Sequence, residues 1–305
     1  MNSKKTSYKT TIFLSLVYIV ISAPLNCYAE NHAIAVVLSQ KIKPYMQVLK
    51  GVQQNLDNKP SFPMDIFSIS DTNRDIANIK KELLKKKYTL FLAIGPEAAQ
   101  LIWSMESLRH QPKLFSAILN PLKIDHLKFS HCGVSLQIPA SIQLAEISAS
   151  LPDIKKVGII FDPKQNQTFF KAALESEPSY KIKVIPLRVN SKTEISKVLR
   201  NNLNSIDCVW MIPDSTVISE KIVQYVIKQA LYKKKGVIGY NPYFIKSGAV
   251  FAFEFDYYQI GIQTAEKIRA YSNDKACNIT IPFFNKTSNL KMARHLGITI
   301  KEHPE

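Results

Sequence analysis

The chain has 305 residues, with 40 lysines and arginines against 24 aspartates and glutamates, a formal charge of +16. That length admits two domains. Only six of the forty basic residues are arginine, the better fork for phosphates and base edges, so the excess reads as a solvated lysine face and no nucleic-acid partner is expected. A role for the charge at an anionic membrane surface stays open.

The chain begins with a basic stretch (Lys4, Lys5, Lys9) and the apolar run "TIFLSLVYIVISAPL", followed by Cys27-Tyr28-Ala29. This is the pattern of an export signal, predicted over 1–29 with cleavage before Glu30 and release to the periplasm. Lipidation at Cys27 is the alternative, with Pro24-Leu25-Asn26 a poor approach to it, and an uncleaved anchor would need a longer span. Loss of the leader's three lysines lowers the +16 to +13.

Beyond the leader, short apolar runs alternate with amphipathic ones. "AIAVVLS" (33–39) predicts a buried strand and 44–58 a helix. "FPMDIFSIS" predicts a strand and "DIANIKKELLKKK" a helix with a basic face. "TLFLAI" then stops at Gly95-Pro96, where a helix opens with Pro96 and Glu97 in its first turn, and "KLFSAILNP" is a fourth strand. After a polar connection the cycle restarts. "CGVSLQI", "KKVGIIFDP", "YKIKVIPLRV", "CVWMIPD", "GVIGYNP" and "AVFAFEF" predict strands, with helices over 141–151, 166–176, 191–202 and 217–235 and a last one over 256–272. Continuous apolar strands between helices imply parallel sheets covered on both faces. The predicted fold class is α/β, with two doubly wound parallel-sheet lobes and a ligand cleft between them. The expected division is 30–131 with 253–275 in lobe 1, and 132–252 with 276–305 in lobe 2.

Nine glycines form no phosphate-binding loop, and no G-x-S-x-G elbow occurs. The six histidines make no ligand-spaced pair, and His131-Cys132 are neighbours in sequence, which suits a metal poorly. No cofactor, metal site or catalytic residue is expected, and no enzyme. Cys132, Cys208 and Cys277 remain after the leader. One bridge could form among them, the pair being open, and buried free thiols at Cys132 and Cys208 are the other reading.

Ligands of open α/β sheets bind outside the carboxyl ends of the strands. The residues at those ends are Ser39, Gly95, Pro96 and Asn120 in the first set, and Asp162, Gln165, Asn166, Asp214, Tyr240, Asn241 and Asp256 in the second. Most carry polar groups able to orient a small ligand. Each also has a local alternative: Asp162-Pro163 suits a turn and Asp256 a helix cap. The helix opening at Gly95-Pro96 suits an acceptor group such as a ligand carboxylate.

From Ile34 to Ile298 the chain resembles the periplasmic substrate-binding proteins of ABC transporters, nearest the branch with tryptophan- and other aromatic amino-acid-binding members. The resemblance is carried by "AIGPEAAQ", Asn120-Pro121, "CGVS", "LPDIKKVGIIFDP", "IPDSTVIS", "IKSGAVFAFEFDYYQIG" and "NLKMARHLGI". It implies a type I binding-protein fold whose chain crosses between lobes more than once. It also implies a monomer that closes on a small-molecule ligand and delivers it to an ABC permease. Relatives commonly have Gly-Thr-Pro where this chain has Gly95-Pro96-Glu97, an acidic pair at Asn241-Pro242, and a serine- and glutamate-bearing loop at Lys164-Gln165-Asn166. With that pair gone, Asp214 and Asp256 are the expected partners of a ligand's positive or donor end, Asp214 foremost. A sensor reporting to a membrane receptor is the alternative function, and an enzyme on the same scaffold a third.

Overall fold

The computed structural model describes residues 33–56, 62–69, 73–124, 132–274 and 277–301; the predicted signal at 1–29 lies outside them. In chain order the strands are β1 Ile34–Leu38, β2 Met64–Ser68, β3 Leu90–Ile94, β4 Lys113–Ile118, β5 Gly133–Ser135, β6 Lys156–Phe161, β7 Lys183–Arg188, β8 Cys208–Met211, β9 Gly236–Gly239, β10 Phe251–Phe255, β11 Ile279–Thr280 and β12 Phe284–Ser288. The helices are α1 Lys43–Leu56, α2 Asn73–Lys85, α3 Pro96–Ser104, α4 Ala140–Ser150, α5 Pro163–Tyr180, α6 Ile195–Asn202, α7 Glu220–Tyr232, α8 Pro242–Ser247, α9 Tyr257–Asp274 and α10 Leu290–Leu296.

Two six-stranded sheets result, in the orders β11-β5-β4-β3-β1-β2 and β12-β10-β9-β8-β6-β7. Every pairing is parallel except β10 with β12, so the second sheet ends in one antiparallel strand. The central strands β1 (IAVVL) and β3 (LFLAI) are buried at every residue, as strands covered on both faces must be. The edge strand β7 tolerates Pro186, and the edge strand β2 carries Asp65. Apolar clusters cover both faces of each sheet. Helix α9 packs on α1 with glycine against glycine: a Cβ on Gly51 would lie 2.3 Å from the Tyr258 carbonyl oxygen.

The pairing corrects the expected division at three places. β5, placed in lobe 2 by the 131/132 boundary, hydrogen-bonds to β4 in the first sheet. β10, cut at 252/253, belongs wholly to the second. β11, assigned to lobe 2, pairs with β5 in the first. A short strand looks the same whichever sheet it joins, so backbone partners decide. The chain therefore crosses after β5, after β10 and after β11. The sequence reading also left α8, β11, β12 and α10 without assignment.

Cys132 and Cys277, which precede β5 and β11, form a disulfide, leaving Cys208 a buried free thiol. The bridge reading is realised through Cys132, and the buried-thiol reading holds for Cys208 alone. Burial pushes the Cys208 thiol far above its usual range.

Candidate functional site

In the first lobe the chain leaves β3 through Gly95, at φ 93°, and enters α3 at Pro96. Only glycine fits there. A Cβ would sit 2.6 Å from Ser39 Oγ and 2.8 Å from the Tyr45 ring, in a backbone region that side chains disfavour. Gly95 offers α3 no side-chain cap, and the capping group comes from another strand: Ala98 N–H donates to Ser39 Oγ at 2.9 Å. Ser39 is buried, and the protein's own hydroxyl takes one of the donors expected to face a ligand. Beside it, burial with the Glu97 carboxylate and the Tyr257 phenol pushes the Tyr45 phenol up to about 12.

In the second lobe, two buried aspartates lock the loops after β6 and β8. Asp162 Oδ1 caps α5 by accepting from Lys164 N–H at 2.9 Å, and its Oδ2 accepts from Thr216 Oγ1 at 2.8 Å. Asp162 N–H in turn donates to Asp214 Oδ2 at 2.8 Å, and Thr216 N–H donates to Asp214 Oδ1 at 2.9 Å. Asn166 leaves helical geometry (φ −130°, ψ 22°), and its amide reaches across to donate to Asp214 Oδ2 (2.8 Å) and the Pro213 carbonyl (3.2 Å). Asp214 is 3 % exposed. Its carboxylate, expected to meet a ligand's positive end, is occupied by the protein's own donors. Asp256 accepts from Tyr258 and Gln259 N–H as the cap of α9, and Asn241 from Tyr243 N–H as the cap of α8. Gln165 is exposed, and its carbonyl accepts from Lys123 Nζ of the first lobe.

A cavity of about 420 Å³ of empty space, mouth included, opens where the ends of β4, β8 and β9 meet the crossing after β5 and the strand β10. Three of the expected residues line it: Asn120 from the first lobe, Asn166 and Tyr240 from the second. Ser39, Gly95, Pro96, Asp162, Gln165, Asp214, Asn241 and Asp256 lie outside its lining. Sequence reasoning missed Phe169, Phe253 and Phe255, together with Gln137 and Gln143. The aromatic residues sit inside strand and helix patterns where core burial explains them equally well; only Gln137, in the polar step between strand and helix, carried a signal.

Polar capacity in the cavity is specific. Both Asn166 N–H groups are spent, so its amide retains acceptor capacity only, at Oδ1. Gln143 is pinned between the Ile138 carbonyl (2.9 Å) and the Trp210 indole (3.2 Å). Burial and the nearby Asp214 charge push the Tyr240 phenol far above its usual value, so it stays a hydrogen-bond donor. Phe169 stands edge-on to Trp210 at 5.5 Å, backing the aromatic wall. No carboxylate, ammonium or guanidinium among the described residues lines the cavity. Among the described residues no group of side chains could hold a metal ion, and no helix is long and apolar enough to cross a membrane.

The model of the family described as "ABC transporter substrate binding protein" matches residues 33–303. No curated protein sequence matches the chain. Among solved structures, the ligand-free, open form of a substrate-binding protein with adhesive properties from Clostridium difficile is 17% identical. The similarity covers 90% of this chain and 96% of that one, with a TM-score of 0.73. An ABC domain from Streptococcus pneumonia in complex with L-Trp is 21% identical over 89% and 96% of the two chains, with a TM-score of 0.60. A periplasmic ribose ABC transporter protein from Conexibacter woesei is 11% identical over 88% and 95%, with a TM-score of 0.61. At these identities the likeness is one of fold.

Proposed function

Since this chain belongs to the ABC transporter substrate-binding proteins, we propose that it is exported and clamps a small aromatic or amino-acid-like ligand between its lobes for delivery to a permease. The family binds solutes and hands them to ABC permeases; it is not an enzyme class. The observation that carries the ligand class is the cavity wall: Phe169, Phe253, Phe255 and Tyr240 around carboxamides, with no formal charge among the described lining residues. A charged group without a partner in such a wall would pay its desolvation unrelieved. Rings and neutral hydrogen-bonding groups are therefore the favoured content, and the aromatic half of the class is the stronger. The fold relative solved with L-Trp supports an aromatic ligand on this scaffold.

Within the cavity, Asn120 and Asn166 orient the ligand from opposite lobes and Tyr240 donates to it. A ligand touching both lobes favours the closed arrangement by its differential affinity. Ser39, Gly95, Asp162 and Asp214 act behind this surface by holding the loops.

The test is mass spectrometry of small molecules released from the purified exported protein, followed by calorimetric titration of the compound found. Phe169→Ala should weaken binding by about 2 kcal/mol or more, since it removes a ring from the wall. Tyr240→Phe should cost about 1 kcal/mol. Small-angle scattering should show a smaller radius of gyration with ligand. A released ligand bound equally well by both variants would reject this cavity as the site.

A further inference from the structure

The end of the second lobe opposite the cavity has a composition that solute binding does not explain. Strands begin and helices end there, and backbone hydrogen bonds run the segments side by side. Lys183 N–H donates to the Lys155 carbonyl (2.8 Å), Asp207 N–H to the Lys156 carbonyl (2.8 Å) and Gly236 N–H to the Asp207 carbonyl (3.2 Å). Lys155, Lys156, Lys181, Lys183, Lys233 and Lys234 are exposed along this edge, and the first four line one shallow groove. None of the six makes an ion pair among the described residues. The acids near them are engaged in backbone hydrogen bonds: Asp207 Oδ2 accepts from Lys155 and Lys156 N–H, Glu177 from Val184 N–H, and the exposed Asp153, which feels the Lys155 charge, from Thr299 N–H. The C-terminal tail brings a further exposed lysine, with Lys301 N–H on the Ser150 carbonyl at 2.8 Å.

Two further observations set this edge apart from an ordinary solvated lysine face. Lys181 and Lys234 sit at φ 55° and 53°, the left-handed region where glycine or asparagine costs least. A lysine elsewhere in the last turn would complement the helix dipole equally well. Both positions on this edge nonetheless hold lysine. Next to them Tyr232 is 81% exposed, with Lys233 Nζ 5.9 Å from its ring centre. An exposed tyrosine among lysines is the pairing that suits a membrane–water interface. Lysine attracts as a point charge and lacks the fork that reads a nucleic-acid phosphate.

We propose that this distal edge of the second lobe docks on an anionic phospholipid bilayer. The lysines supply the attraction, Tyr232 enters the headgroup layer, and the cavity at the other end of the same strands stays free to load. The contact is independent of which ligand the cavity takes.

Flotation of the exported protein with vesicles tests it, using phosphatidylcholine alone and phosphatidylcholine containing phosphatidylglycerol. Binding is expected to the anionic vesicles only and to fall as salt rises. Each lysine near such a surface is worth about fivefold, so Lys155, Lys156, Lys181 and Lys183 all →Gln should lower binding about a hundredfold or more. Removing the same charge from the first lobe, with Lys43, Lys50, Lys80 and Lys81 all →Gln, should change it by no more than about fivefold, a single lysine's worth. Lys181→Asn suits the left-handed backbone, so it should lose about fivefold in vesicle binding while the thermal midpoint holds or rises. That combination separates docking from folding. An equal loss in the first-lobe variant would show that net charge alone drives binding and would overturn the proposal. So would equal binding to uncharged vesicles, or binding to inorganic polyphosphate with none to the anionic vesicles.

Discussion

The loop after β3 in the first lobe and the loops after β6 and β8 in the second solve the same problem differently. Each brings backbone N–H groups to the strand ends that need acceptors: Ala98 at the start of α3, Lys164 at the start of α5 and Thr216 in the turn after β8. In the first, a single buried hydroxyl, Ser39 Oγ, takes the Ala98 donor, and Gly95 lets the chain come close enough for it to do so. In the second, two carboxylates share four donors from Lys164, Asp162 and Thr216, and a fifth from the Asn166 amide. The first solution uses one side-chain acceptor and no carboxylate. The second spends both N–H groups of Asn166, a residue that lines the cavity. A polar residue near a strand end keeps hydrogen-bonding capacity only where the loop's own donors and acceptors do not use it up.

The comparison can be broken at several points. The largest effect should come from reduction, since only the first lobe carries a covalent staple among the described residues. Cys132 and Cys277 are 145 residues apart, a separation for which the chain-entropy account gives about 5 kcal/mol. Denaturant unfolding with and without reductant should show a loss approaching that size. No change would mean that the β5–β11 edge holds without its bridge.

Next comes Gly95→Ala, which adds left-handed strain and a Cβ against Ser39 and Tyr45. About 2–4 kcal/mol of stability should go, read from the denaturant midpoint at constant slope. A loss of less than half that range would show that Ser39 and Tyr45 move aside freely.

Asp214→Asn should cost about 1.5–3 kcal/mol of ligand-free stability, because a buried charged acceptor of three hydrogen bonds is replaced by a neutral amide. If Asp214 instead partnered a ligand's positive end, as the sequence reading expects, the change would weaken a cationic ligand and spare the ligand-free fold, so thermal melts of the ligand-free protein separate the two accounts. An unaltered melt with weakened binding would restore the sequence expectation.

Smallest is Ser39→Ala, about 1 kcal/mol for a lost helix cap. If it costs as much as Asp214→Asn, the first loop relies on its single bond as heavily as the second relies on its network.

Much of the fold was legible because burial on both faces writes continuous apolar runs such as "IAVVL" and "LFLAI", and these need no partner to be recognised. The edge strand β2 was legible too, through the alternation of "MDIFS". The antiparallel strand β12 was not: "FNKTS" has no apolar face, and its pairing with β10 depends on a chain end that returns from the other sheet. Part of the cavity lining was legible in polar residues that follow strands: Asn120 after β4, Tyr240 after β9, and Asn166 in the early part of α5 after β6. The lining was illegible where a ring serves core and cavity alike. Phe253 belongs to the core cluster and to the cavity wall, and Phe169 packs against that same cluster.

The alternation of strand and helix, the two parallel sheets, the family and the lysine-rich surface all follow from the order of residues along the chain, because periodicity and charge are local properties. Which sheet takes β5, β10 and β11, which cysteines join, and whether Asp214 faces a ligand or its own loops are decided elsewhere. Each depends on groups far apart in sequence arriving within hydrogen-bonding or bonding distance. The aspartate shows the rule most plainly. Its residue type promises a charged contact at the end of a strand, and the backbone of Asp162, 52 residues away, claims that contact first.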